Sequence, residues 1–388
     1  MEERDRDNER KEGGRKVGLR DRLRHFTWAW FTSTMSTGGL SLLLAETPHK
    51  FHGLHTIGII VFIFDLVLFA CLCACMTIRA IVDFRRFKES FHHPPEAFFF
   101  GAFWLSLNTI FSNIQLYGIT YGPCGSWLVT TLYVLYWIYA ACSIVTSVGL
   151  YWGFIVRHKI HPVPFNPTWF LAGYSAMLTG TLASIIAESQ PEARRMTILV
   201  SGLTFQGFGW MLSFLLTIMY VYNLVEHGLP PPSVRPGMFI PVGAASFTVI
   251  VFIGFSNALP TSYGFFAAHP SAAETLHTLA VFSSIFLWML SFWIFVLAVL
   301  GCLNGMRQMR FALPWWALIF PNVGFTLATV NIGQELGSEG ILWVGSAMTI
   351  LLFVTWLIVV VACARAVVKG QILWPGKDED KTMFKDDQ

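Results

Sequence analysis

Residues Ile57 to Met76 make twenty consecutive positions interrupted by a single charge, Asp65. An uncharged run of that length matches the hydrocarbon thickness of a bilayer when wound as an α-helix. Comparable runs recur along the chain. The spacing predicts spans near 25–45, 56–78, 98–117, 127–155, 168–187, 196–225, 237–257, 274–303, 315–334 and 340–367. Between them stand helix breakers: Pro94-Pro95, Gly122-Pro123, His161-Pro162 with Pro164 and Pro167, Gln190-Pro191, Pro230 to Pro232, His269-Pro270, Pro314 and Gly337. Only 13% of residues are charged, against roughly 25% in soluble domains. That is too little polar surface to coat a water-soluble particle of this size, so the fold class expected is an all-α membrane protein.

Orientation follows from the basic residues. With the N-terminus inside, the outer loops hold only Lys50, Arg194 and Arg195, leaving 23 of the 26 Lys and Arg in the tails and inner loops. This asymmetry is the positive-inside pattern, and it favours N-in, C-in and an even span count. Residues 1–22 are charged and glycine-rich without an apolar core. They read as a disordered cytoplasmic tail rather than a signal peptide. A ten-helix domain over 23–369 and a second cytoplasmic tail over 370–388 follow.

The odd spans are shorter than the even ones and carry much of the Gly, Ser, Thr and Asn. At 100° per residue, Asn108, Ser112 and Gln115 share a face, as do Thr181, Ser184 and Glu188, and Asn322, Thr326 and Thr329. Small and hydroxylated residues also mediate plain helix packing in lipid. Five odd spans sharing the habit favour an inner ring around a polar path, the even spans facing lipid.

Three long stretches, Arg22 to Trp30 (RLRHFTWAW), Arg235 to Thr248 (RPGMFIPVGAASFT) and Pro314 to Thr329 (PWWALIFPNVGFTLAT), resemble the tellurite-resistance/dicarboxylate transporter family. Leu182 to Pro191 (LASIIAESQP), Leu203 to Gly209 (LTFQGFG) and Pro375 to Asp380 (PGKDED) agree. The resemblance covers nearly all of residues 20–380 and is nearest the fungal malic-acid transporter branch. The family also holds fungal sulfite efflux pumps, bacterial tellurite-resistance homologues and plant slow anion channels. The resemblance implies five helical hairpins, odd helices around a central pore, commonly a homotrimer, and a phenylalanine on the ninth helix obstructing the pore. Phe320 and Phe325 both fit that last role.

An organic anion crossing a low-dielectric layer needs compensating charge or donors. Candidate groups are the arginines Arg79 and Arg235 at cytoplasmic helix ends, and the uncharged donors Asn108, Ser112, Gln206, Asn322 and Thr326. A basic residue at such an end is also the default of topology, and Gln206 serves equally well as partner to a neighbouring backbone group. His25, Asp65 and Glu188 are the titratable candidates for coupling, Asp65 being as well suited to a structural pair. No cofactor or metal is expected: Cys71 and Cys75 share a helical face without a nearby His, and no HExxH or phosphate loop occurs. A net charge of +3 that follows topology gives no footing for nucleic acid. The function expected is a plasma-membrane carrier of C4-dicarboxylates, chiefly malate, with succinate or fumarate. The alternatives are a sulfite or other small-anion exporter or channel, a carrier of another organic acid, and an anion receptor.

Overall fold

The computed structural model describes residues 18–157 and 165–374. Most of the predicted N-terminal tail, the His161-Pro162 break and the PGKDED stretch lie outside the described residues. Inside the predicted tail the chain is already helical over Leu19–Arg24. The long helices are labelled here in chain order: α1 (Phe31–Glu46), α2 (Leu54–Val82), α3 (Phe100–Asn113), α4 (Ser126–Arg157), α5 (Trp169–Ile186), α6 (Glu192–His227), α7 (Val242–Asn257), α8 (Pro270–Gly305), α9 (Phe320–Glu335) and α10 (Glu339–Val368). No strand occurs among the described residues.

With their adjoining turns, eight of these helices are long and apolar enough to cross a membrane. The exceptions to the expected ten are α1 and α3, which run for only 16 and 14 residues. Both are short because the chain leaves regular α geometry beside them. A 3-10 turn over Trp28–Trp30 precedes α1, and a π-helical stretch over Ile114–Thr120 continues α3. α7 and α9 are likewise entered through 3-10 segments, Pro232–Phe239 and Leu313–Leu318. Prolines at 236, 241, 314 and 321 withhold N–H donors in these entries.

The odd and even helices differ in burial. In the most apolar windows of α5, α7 and α9, 94%, 83% and 83% of residues are buried, against 28% for α2, α4, α6, α8 and α10. Every residue of α1 except Glu46 is buried. The odd helices contact one another in a closed ring: α1 meets α3, α3 meets α5, α5 meets α7, α7 meets α9, and α9 returns to α1. α2, α6, α8 and α10 each pack back along the odd helix before them, whereas α4 lies chiefly on α5.

A helix as buried as α1 (FTSTMSTGGLSLLLAE) tolerates its hydroxyls because each finds a backbone carbonyl, Ser36 and Ser41 those of Trp316 and Gly58 and the others one a turn earlier in the chain. Thr32, Ser33, Thr34 and Thr37 donate to the carbonyls of Ala29, Trp30, Phe31 and Ser33. Each polar side chain is thereby satisfied without water. Small residues set the interhelix distances. A Cβ added at Gly101 would overlap the backbone carbonyl of Leu171, so α3 and α5 touch main chain to main chain. Gly180 of α5 similarly admits the Gly202 carbonyl of α6, 2.8 Å from where its Cβ would be.

Gly101→Ala is therefore expected to destabilise the ring by about 2 kcal/mol, because backbone cannot rotate aside as a side chain can. Thermal unfolding of the detergent-purified variant measures this. An unchanged midpoint would mean that α3 and α5 can separate freely.

Candidate functional site

Among the described residues, two cavities are each lined by all five odd segments, the larger of them also by the end of α6 and the connector after it. The larger, about 650 Å³, is bounded by Thr32, Phe99, Thr168, Gly237 and Pro314, at the starts of the five inner segments. The smaller, about 20 Å³, is bounded by Gly39, Ser112, Thr181, Ile250 and Val323, further along the same five. The order is the same on every segment, for example Met35 then Gly39 on α1, and Ala317 then Phe320 at α9. The cavities are thus stacked along the ring axis. The first is a vestibule; the second is a chamber with room for a water or two.

Phe247 and Phe320 are the chamber residues that follow most closely on the vestibule in their own segments. Their rings stack with centroids 5.1 Å apart and planes at 28°. Two glycines seat them. A Cβ at Gly39 would lie 3.0 Å from the Phe320 ring, and one at Gly324 would lie 2.8 Å from that of Phe247. Both rings line the chamber and neither lines the vestibule.

Asn108 and Ser112, two of the predicted donors, do line the chamber. Asn108 donates its amide to the Leu178 carbonyl at 2.8 Å. The Ser112 and Thr181 hydroxyls, both buried, have no hydrogen-bond partner among the described residues. Of the two phenylalanines, Phe320 lines the chamber. Phe325 faces away from it, against Trp288 and Phe295 of α8 at 5.3 and 5.4 Å.

The remaining candidates are not brought to either cavity. Arg79 is 1% exposed and forms a two-pronged ion pair with Glu96, which is 0% exposed; its second prong spans 3.1 Å. It also donates to the Phe26 carbonyl at 2.7 Å. Arg79 thus lines neither cavity, and its two terminal nitrogens face Glu96 and the Phe26 carbonyl. Arg235 clamps the entry to α7 onto the end of α8, donating to the carbonyls of Pro230 and Gly301 and to the Asn304 side chain. Gln206 donates to Thr248 at 2.8 Å, tying α6 to α7. Asn322 donates to the Leu318 carbonyl of the 3-10 entry, and Thr326 within α9 to the Asn322 carbonyl.

Among the coupling candidates, His25 is buried at the end of the Leu19–Arg24 helix. Glu188 is exposed beyond the end of α5. Asp65 is fully buried, and neither carboxylate oxygen has a hydrogen-bond partner among the described residues. It lies behind Gly38, where an added Cβ would come 2.7 Å from its Oδ2 and would also crowd the Thr109 side chain, which lines the chamber. No Lys, Arg, Asp or Glu lines either cavity among the described residues. Sequence reasoning missed Phe247 as half of the ring pair; its one signal was its place within RPGMFIPVGAASFT. It also missed Tyr220 and Asn223, which line the vestibule from the even helix α6.

A closed ring of buried helices around stacked cavities, inside a coat of apolar helices, is the architecture of a membrane transport protein. Residues 25–364 match the model of the voltage-dependent anion channel (SLAC1) family, and the chain belongs to that family. It is 33% identical to the malic acid transport protein of Schizosaccharomyces pombe, over 94% of this chain and 83% of the relative. It is 30% identical to a putative malic acid transport protein of the same yeast, over 95% and 85%. The sulfite efflux pump SSU1 of Arthroderma benhamiae is more distant, 23% identical over 90% and 93%.

Proposed function

We propose that the chain carries C4-dicarboxylates, chiefly malate and also succinate or fumarate, across the plasma membrane through the axis of the five-helix ring. The observation that carries this reading is the pair of stacked cavities, each lined by the same five segments. The similarity to malic acid transport proteins supplies the substrate class. In this reading α1 and α3, lengthened by their 3-10 and π turns, complete ten crossings as five hairpins. Arg22 lies 4.7 Å over the Trp374 ring, bringing the two ends of the described chain to one face, as an even number of crossings requires. The lysine and arginine count supports that face, and with it the vestibule, as cytoplasmic.

The anion leaves water in the vestibule, at the positive ends of the inner helices. It then passes the Phe247–Phe320 pair and contacts Asn108, Ser112 and Thr181. Uncharged donors suit transit, since they offset desolvation without holding the ion. Phe320 is the gate residue in this scheme. Asp65, one side chain removed from the chamber, is the group we assign to proton coupling. The assembly we propose is a homotrimer of separate pathways.

Uptake of radiolabelled malate into proteoliposomes containing only this protein tests the reading. Sulfite and chloride serve as competitors, and a pH gradient is imposed or collapsed in parallel. Saturable malate uptake is expected. Robust sulfite or chloride movement without malate uptake would replace the dicarboxylate reading with an inorganic-anion path.

A further inference from the structure

We propose that the outer mouth of the pathway is a charge filter, in which Lys50 receives the anion against the repulsion of Glu46 and Glu188. This rests on the transport reading above and says how strongly substrate is held at the face remote from the vestibule.

The chamber-lining row of α1, Gly39 and Leu42, continues outward to Glu46, the last residue of that helix. The row of α5, Thr181 and Ile185, continues to Glu188 in the 3-10 turn that follows. Glu46 and Glu188 lie close enough to act on each other electrostatically, and Lys50 acts on Glu46 with the opposite sign. The end of α3 joins them. Ser189, next to Glu188, donates to the Gln115 side chain at 3.1 Å. Tyr121, directly after the π-helical stretch, donates to Glu46 at 3.4 Å. The outer ends of three neighbouring ring helices thus meet around two carboxylates and one lysine.

Lys50 is exposed, and its ammonium is held loosely. It lies 4.6 Å from the centroid of the Tyr121 ring and makes one long hydrogen bond, 3.4 Å, to the Tyr121 hydroxyl. An ammonium has three donors, so two stay available to a ligand. The other outer cations and the carboxylate of α9 are engaged elsewhere. Arg195 donates to the carbonyls of Glu188 and Gln190, and Arg194 lies over the Tyr133 ring of α4. Glu335, at the end of α9, is taken by Asn257 and His277 at 2.8 and 3.1 Å.

An anion therefore meets opposite fields at the two ends of the axis. The vestibule is built from helix starts, whose dipole ends are positive, and the outer mouth from helix ends, which are negative. Glu46 and Glu188 add to the outer repulsion, and Lys50 offsets part of it. A dicarboxylate is held more weakly from outside than from the vestibule, and Lys50 sets by how much.

The test offers malate at either face of proteoliposomes in which the protein has a single orientation. Wild-type KM should be higher at the outer face. Lys50→Gln should raise the outer-face KM about tenfold, the order expected when a dianion near water loses one unit of opposite charge beside it. Glu188→Gln should lower it about threefold, and Lys50→Arg should stay within about twofold of wild type. Salt added at the outer face should shrink both shifts. The vestibule-face KM should stay within about twofold throughout, since that mouth lies beyond the screening distance. A merely structural role for these exposed residues would not give shifts of opposite sign.

Shifts of one sign in Lys50→Gln and Glu188→Gln, or no shift in either, with the wild type carrying malate, would overturn the filter and leave the carrier standing. If the wild type moves sulfite or chloride instead, opposed shifts in that anion's KM would keep the filter and remove the dicarboxylate reading. Absence of flux for all three anions would overturn both.

Discussion

Phe320→Ala is expected to raise malate flux through reconstituted protein at least about tenfold at the same gradient. That increase corresponds to a barrier lower by about 1.4 kcal/mol. The stacked rings of Phe247 and Phe320 line the chamber, and in the proposed pathway they close it from the vestibule, so that deleting one of them joins the two cavities. The variant should also lose about 3 kcal/mol of stability, toward the lower end for a buried phenylalanine truncated to alanine. Flux is therefore to be normalised to monodisperse protein. Phe325→Ala is the matched control, since that ring packs outward on Trp288 and Phe295. It should cost comparable stability without raising flux. Equal flux in wild type and Phe320→Ala would mean that the barrier to the ion lies elsewhere along the axis.

The second large effect concerns folding. Arg79→Ala or Glu96→Ala each leaves one buried charge without its partner, a loss of about 3–5 kcal/mol. Little folded protein is expected from either single variant, read as the monodisperse fraction in size-exclusion chromatography and as the melting temperature. Replacing both partners by apolar residues of similar volume, Arg79→Met with Glu96→Leu, should recover most of that loss, because two desolvation penalties vanish together. The recovered double variant should carry malate with a near wild-type KM. A folded Arg79→Ala protein with a sharply raised KM would instead restore this arginine to the anion path.

These expectations separate what was legible in the sequence from what was not. The apolar runs, their proline breaks and the polar content of the odd helices follow from local chemistry, and the membrane fold was read from them directly. α1 and α3 fell short of regular spans because 3-10 and π turns take up part of their length, and hydropathy does not register such a change of winding. Of the predicted α3 stripe, Asn108 and Ser112 line the chamber, whereas Gln115 falls in the π-helical stretch and bonds with Thr120 and Ser189. On α9, Phe325 of the predicted face meets α8 and Thr329 accepts from Trp288 at 2.8 Å, while Phe320, Val323 and Leu327 line the chamber. Periodicity says which residues share a face. Only the neighbouring helices decide where that face points. The partner of Arg79 was not legible for a related reason, since Glu96 sits in the short helix Pro94–Ala97, 17 residues away, and no local pattern joins them.

The division of the chamber wall among five helices has a consequence for how such proteins diverge. Each helix contributes one to three side chains to a cavity whose frame is set by packing elsewhere. A lineage can therefore change what passes by a substitution on one helix while the other four are inherited unaltered. Malate carriers and sulfite pumps can then descend from one ancestor through few intermediates, each still folded. In such histories new selectivity arises by exchanging single staves of a barrel rather than by rebuilding it.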